Sequence, residues 1–411
     1  MRILYHHRTA SRDGQAVHID EMIHALRELG HEVRVVAPAA PTEGMGGGVG
    51  WVHRLRSRLP RVLYELAELA YTVVAYRALA SAAREFRPDA IYERYNLHLL
   101  AGVLLKRRIG VPLLLEVNAP LAAERAEHDG LALPGLARWS ERLAWCGADV
   151  VLPVTRVLAE HVHAVGVPAD RVVVVPNGIN EEHFAGAPSL QQAKAALPGA
   201  GWSDALVLGF TGFVREWHGV DRVLHWMATP GAPARTRLLV VGDGPARLSL
   251  ERLASELGLA DRVHFTGVVP RAEVPALVAA FDIALQPAVV PYASPLKLFE
   301  YLMLGKAVLA PSTPNIEEIL VDGDNGQLFD PAVSGSFESA LNRLTEDADL
   351  RERLARRARQ TIGERGLTWS ANARRAAALA GALAGGQGLV AARQAAERAG
   401  AECDLVATRK A

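Results

Sequence analysis

The sequence is poor in cysteine, has no surplus of charge of either sign and contains no long apolar run. Its 411 residues include two cysteines, Cys146 and Cys403. Two thiols cannot build a disulfide framework or a cysteine zinc cluster, and reduced thiols fit a cytosolic compartment. Lysine plus arginine number 45 and aspartate plus glutamate number 45, so the formal net charge is zero. Nucleic-acid binders ordinarily show a basic excess, so no nucleic-acid partner is expected. A spanning helix needs ~20 apolar residues. The best run, Leu69 to Ala80, is shorter and is broken by Arg77. No secretory pattern precedes the strand-like Met1-Arg2-Ile3-Leu4-Tyr5. The expectation is a cytoplasmic protein, with contact at the inner face of a membrane left open. The fourteen histidines are scattered, and neither a metal site nor a cofactor is expected.

What is present is globular. Hydrophobic residues make up 50% and charged residues 22%, which excludes global disorder. A single core rarely exceeds ~250–300 residues, so the length implies two domains. Short apolar runs alternate with helical patterns. One series is Arg2–Tyr5, Glu32–Ala37, Ala90–Glu93, Pro112–Val117 and Asp149–Pro153. A second is Arg171–Val175, Leu206–Phe210, Leu238–Val241, Val263–Phe265, Ile283–Gln286 and Ala307–Ala310. Runs apolar throughout suit strands buried on both faces, and the alternation predicts α/β architecture with parallel sheets. Ile19, Met22, Ile23, Leu26 and Leu29 share one helical face, which Gly30 ends. Pro176-Asn177-Gly178 is a turn signal, and residues 185–204 are rich in Ala, Pro, Gly and Ser. The expected division is a domain over 1–185, rejoined by a helix near 369–384, a domain over 186–368, and a tail, 385–411, that is Ala-rich and able to form a helix.

The most informative stretch is Tyr292 to Ala310. Ser294 suits an N-cap and Pro295 the first helical position. Leu296, Phe299 and Met303 supply an apolar face. Lys297 then falls in the first turn, where a cation opposes the helix dipole by ~0.3–1 kcal/mol. An anionic ligand there would reverse that sign, and free N–H groups beside Lys297 would form a phosphate site. Glu300, one turn deeper, could accept two ribose hydroxyls. A plain Lys–Glu surface pair is the alternative. After the first strand, His6-His7-Arg8 leads to Gly14, which opens a helix without the GxGxxG spacing. After Leu206–Phe210, Arg215 and His218 follow a strand end, where open α/β sheets bind ligands. Asn118 ends another strand ahead of Pro120. Asp322-Gly323-Asp324 and Asp347-Ala348-Asp349 read as turns rather than a metal–diphosphate site.

These residues resemble glycosyltransferase family 4, the retaining two-domain GT-B enzymes, over roughly Met1 to Trp369. The most specific part is Ser294-Pro295-Leu296-Lys297-Leu298-Phe299-Glu300-Tyr301 followed by Gly305-Lys306-Ala307-Val308. Val175-Pro176-Asn177-Gly178, Val241-Gly242-Asp243-Gly244-Pro245 and Val263-His264-Phe265-Thr266-Gly267 support it. The resemblance implies a GT-B fold, with two Rossmann-like parallel-sheet domains facing a central crevice. It implies a nucleotide-sugar donor, UDP- or GDP-linked, with the base near Val268, the ribose on Glu300, and the diphosphate against Gly14, the helix start at Ser294, Pro295, Leu296 and Lys297, and the Arg215–His218 loop. Three positions depart from the family pattern: Tyr292 stands where the first Glu of a Glu-x7-Glu pair is usual, Phe213 and His218 stand at the usual Arg and Lys, and Asn118 stands at the usual His.

The resulting expectation is a retaining hexosyltransferase of cell-envelope or polysaccharide synthesis. Its acceptor would be a sugar, a lipid-linked sugar or a small molecule. Asn118, Arg215 and Lys297 are its catalytic candidates, and His7 and His18 its acceptor-side candidates. A nucleotide-sugar epimerase and a catalytically silent binding protein are the alternatives. Trp51 to Arg61 holds four arginines, interleaved with Trp51, Val52, Leu55 and Leu59, and suits peripheral contact with anionic lipid.

Overall fold

The computed structural model describes residues 1–9, 14–38, 59–128 and 130–401. Two compact units divide the chain: Met1–Asn177 with Tyr292–Ser294 and Trp369–Ala411, and Gly178–Pro291 with Pro295–Thr368. The membrane-contact expectation for 51–61 falls almost wholly outside the described residues. No described helix is long and apolar enough to cross a membrane.

The first unit is built on β1 (Arg2–His6), β2 (Glu32–Val36), β3 (Ala90–Arg94), β4 (Leu113–Val117) and β5 (Val150–Pro153), in the order β2-β1-β3-β4-β5 with every pair parallel. β3, β4 and β5 are buried along their whole length. Crossover helices cover both faces, and Leu4, Leu79, Ile91, Leu115, Trp145 and Leu158 meet in the core. Burying one such leucine contributes ~1.5–3 kcal/mol.

The second unit holds β6 (Leu206–Thr211), β7 (Thr236–Val241), β8 (Val263–Phe265), β9 (Ile283–Leu285), β10 (Ala307–Pro311) and β11 (Gln327–Phe329), ordered β11-β10-β9-β6-β7-β8 and again parallel. Its two faces carry separate cores, one around Phe281, Phe299 and Ile316 and one around Phe210, Leu224 and Leu341.

Several expectations are corrected. Arg171–Val175 forms no regular strand and does not join the second sheet. Val172 bridges Val151, and the Val173 and Val175 amides donate to the Val151 and Pro153 carbonyls, so the segment lies along β5. The division falls at Asn177/Gly178 rather than at 185/186. Ile179 already bridges Thr368, and Phe184 packs into the second unit's core. β11 has three residues, opens on the polar Gln327 and was not foreseen. In the 385–411 tail, Leu389–Ala401 is a helix. It lies against the Trp369–Ala384 helix, where Arg374 Nε donates to the Ala399 carbonyl.

Candidate active site

In each sheet the strand order reverses beside the first strand of the unit: at β1/β3 in one and at β6/β9 in the other. Ligands of open α/β sheets bind outside the carboxyl ends of the strands at such points.

At β6/β9 the structure assembles Lys297, Arg215 and His218. The Leu296–Met303 helix follows β9, and Tyr301 ties it to both strand ends. The Tyr301 hydroxyl accepts from the Thr211 amide at 2.9 Å and donates to the Leu285 carbonyl at 3.4 Å. Ser294 is not the N-cap. Pro295 takes that place, and no side chain caps the helix. Ser294 is held elsewhere: Asn177 donates its amide to the Ser294 hydroxyl at 3.2 Å and its side-chain nitrogen to the Ser294 carbonyl at 2.6 Å. The N–H groups that open a helix have no partner within it, so a ligand meeting Leu296 and Lys297 finds uncapped donors.

Lys297 is not half of a surface ion pair. Its Nζ is sealed from solvent with no hydrogen-bond partner among the described residues, and it lies 3.6 Å from the centroid of the Phe210 ring. A Cβ added to Gly212 would stand 3.5 Å from Nζ. Burial lowers the lysine from 10.5 to about 7, opposed by the charge of Glu300. Burial likewise raises Glu300 to about 7, against the pull of Lys297 and Arg271. Each group therefore lacks the full complement that its charged form needs.

The loop after β6 supplies the rest. The Arg215 guanidinium is stacked between Phe213 and Trp217, at 4.8 and 4.7 Å from their centroids. The Arg215 amide donates to Nδ1 of His218 at 3.2 Å. Nδ1 is thus an acceptor and Nε2 carries the proton. Burial, then Lys297, then Arg215 lower His218 to about 3, so the ring is a neutral donor. The loop packs on the one after β7, with the Val214 amide donating to the Asp243 carbonyl at 2.9 Å. Glycine is required there: a Cβ on Gly242, at φ +130°, would lie 2.1 Å from the Gly212 carbonyl oxygen. Val268, assigned to the base, follows β8 and is 62% exposed.

In the first unit, Gly14 opens the Gly14–Glu28 helix and is exposed. His7 follows β1; burial, then His6, then Arg94 lower it to about 4, so it is neutral. Its Nδ1 has no hydrogen-bond partner among the described residues. Asn118, at the end of β4, donates to Glu116 Oε1 at 2.6 Å. His18 is 4% exposed, its Nε2 lies 2.8 Å from Glu116 Oε2, and its ring meets Trp369 edge-on at 4.7 Å. It supports Glu116 from inside the fold.

Glu116 is the group that sequence reasoning missed. Buried in β4, it also accepts from Arg94 at 2.5 Å and from the Tyr92 hydroxyl at 2.7 Å. Burial works to raise it, but His18, Arg94 and the hydrogen bonds outweigh this and hold it well below the usual carboxylate range. A second buried pair, His6 Nδ1 to Glu93 Oε2 at 2.5 Å, joins β1 to β3 at the reversal point. The available signal was acidic residues inside strands otherwise built for burial. Tyr292 donates to Glu124 Oε2 at 2.9 Å. Asp322 and Asp347 serve local structure, accepting from the Leu328 and Leu350 amides.

Residues 13–178 match the family described as "Glycosyl transferase 4-like domain", and residues 201–361 match "Glycosyl transferases group 1". The chain is 30% identical over 342 residues to a D-inositol 3-phosphate glycosyltransferase of Stackebrandtia nassauensis, covering 77% of this chain and 70% of the relative. It is 29% identical over 294 residues to a 2-deoxystreptamine glucosyltransferase of Streptomyces kanamyceticus, covering 66% and 74%. Among solved structures, sucrose-phosphate synthase of Thermosynechococcus elongatus is similar in fold with a TM-score of 0.73 at 17% identity, over 94% of this chain and 100% of the other. HepE of Anabaena, solved with UDP, gives 0.71 at 20% identity over 92% and 98%.

Proposed function

The chain belongs to the group 1 glycosyltransferases of GT-B fold, and on that premise we propose that it transfers a sugar, with retention of anomeric configuration, from a nucleoside-diphosphate sugar to a small polar hydroxylated acceptor. The observation that carries the reading is Lys297, whose buried Nζ has no hydrogen-bond partner among the described residues, beside an uncapped helix start. A diphosphate supplies the counter-charge that this position lacks.

In the proposed reaction the bond from the anomeric carbon to the phosphate oxygen breaks and its electron pair leaves with the diphosphate. Lys297, Arg215 and the Nε2–H of His218 stabilise that charge as it grows. The acceptor oxygen bonds to the same face of the sugar, and its proton passes to the leaving phosphate. A double displacement would need a carboxylate nucleophile close to a second carboxyl group. Glu300 is the carboxylate whose charge acts on Lys297, and its role here is to receive the ribose hydroxyls. Asn118 and His7 are the acceptor-side groups of the first unit, with Glu116 holding Asn118 in place.

Relatives named for 2-deoxystreptamine and D-inositol 3-phosphate support a small-molecule acceptor over a lipid-linked one. HepE, solved with UDP-glucose, puts UDP-linked donors ahead of GDP-linked ones. The test screens UDP- and GDP-sugars for thermal stabilisation, then pairs the binding donor with cyclitol and monosaccharide acceptors and reads the product anomer by NMR. An inverted product would refute retention. Sugar isomerised without acceptor would indicate an epimerase, and binding without turnover a silent protein. The reaction is proposed to need no metal, so activity lost to EDTA and restored by Mg²⁺ would refute that part.

A further inference from the structure

The second unit contains a cavity of about 660 Å³ that the proposed reaction does not use. Small-molecule sites ordinarily span ~300–1,000 Å³. This one lies at the amino ends of the strands: Phe281 and Asp282 precede β9, and Lys306 precedes β10. Lys297, Arg215 and His218 belong to the carboxyl ends, so the two places are distinct.

Its lining combines one buried cation, one half-buried and one exposed with an apolar wall. Lys306 is 7% exposed, and its Nζ donates to the Ala279 carbonyl at 2.6 Å. That is its one described bond, and an ammonium has three donors. Arg351 uses Nη1 on the Leu344 and Thr345 carbonyls, which leaves the rest of its fork. Arg359 lies two turns further along the same helix and is exposed. Two carboxylates line the cavity. Asp282 Oδ2 is already engaged at 2.6 Å by both Lys194 Nζ and the Val207 amide; Glu352 is exposed. Burial lowers Lys306 to about 8, with Asp282 opposing and Lys194 adding to the fall. Phe184, Met303 and Leu304 form the apolar part.

We propose that this cavity is a second ligand site, taking a small phosphomonoester or carboxylate with an apolar ring or chain, the anion on Lys306, Arg351 and Arg359 and the apolar portion against Phe184, Met303 and Leu304. Lys306 and Arg351 keep free donors beside Asp282, whose Oδ2 is shared with Lys194 and the Val207 amide, and an external anion can take those donors.

The test is calorimetric titration of the full chain with phenyl phosphate, with inorganic phosphate in parallel. Lys297→Met removes the cation of the donor site, while Arg359→Glu and Lys306→Met alter the cavity. Phenyl phosphate is expected to bind the parent and the Lys297→Met protein with the same affinity, and at least tenfold more weakly after Arg359→Glu. Inorganic phosphate is expected to bind the parent more weakly than phenyl phosphate. Arg359 is an exposed helix residue, so its variant folds even where Lys306→Met does not. No binding to the parent, unchanged binding to Arg359→Glu, or loss of binding in Lys297→Met alone would each overturn the proposal.

Discussion

Replacing Lys297 with methionine should move stability and catalysis in opposite directions. The side chain stays unbranched and apolar, one atom shorter, and loses the charged Nζ that lies over Phe210. The fall of the lysine from 10.5 to about 7, at 1.36 kcal/mol per pH unit, sets ~5 kcal/mol against the ammonium in the unliganded protein. The sign follows from proton counts. Between pH 7 and 10.5 the unfolded chain holds more protons at this residue than the folded one, so its contribution makes the unliganded protein more stable as pH rises. The penalty is full below pH 7 and nearly so at pH 7, and local relaxation and the Phe210 ring recover part of it. The methionine variant should therefore gain ~1–3 kcal/mol, in line with replacement of buried charges by apolar groups. It should lose the stabilisation of the leaving diphosphate, worth ~10²–10³ in turnover for a preorganised group of this kind. Chemical denaturation at pH 7 and 9 reads the first effect and donor turnover the second. A variant that unfolds more readily at pH 7 while keeping turnover would refute the reasoning and make Lys297 a structural residue.

Donor binding at pH 8 should take up protons, because a diphosphate restores the charge of an amine that is mostly neutral there. Calorimetry in buffers of differing ionisation enthalpy checks this, and a buffer-independent heat contradicts it. Glu300→Gln should leave the fold intact and lower donor kcat/KM by ~10–100-fold, equivalent to ~1.5–3 kcal/mol of charge-assisted hydrogen bonding; unchanged donor kinetics in a folded variant would remove Glu300 from the site. Glu116→Gln should destabilise the first unit by ~3–5 kcal/mol, because Arg94 keeps a buried charge without its partner. The depressed Glu116 contributes stability that is complete above pH 4.5 and lost as pH falls below it, so the variant's acid limb should be shallower than the parent's. An unchanged acid limb would show that the cluster is not ionised as described.

The sequence by itself determined the α/β class, two parallel sheets, nearly every strand and the stretch from Pro295 to Glu300 that holds candidate site residues of the second unit. The reason is local. Period and turn chemistry are properties of neighbours in the chain, and strands buried on both faces show as uniform apolar runs. The resemblance to the family paired Arg215 with Lys297, because it implies that both meet one diphosphate.

Only the tertiary structure decided what those residues are in the fold. Lys297 sits in the first helical turn in either case, and whether it is a solvated surface cation or a sealed, unpartnered ammonium depends on Phe210 and Gly212, which come from another strand. Ser294 reads as an N-cap, yet Asn177, over a hundred residues earlier, claims its hydroxyl. His18 looks like a free helix residue until Glu116 and Trp369 enclose it. Glu116 had no signal beyond an acid in an apolar strand, because Tyr92 and Arg94 reach it from β3 and His18 from the Gly14–Glu28 helix. Propensity and periodicity act within a few residues, whereas burial, charge pairing and the pKa of a buried group are set by atoms far apart in sequence, and at those positions the chain alone leaves the role open.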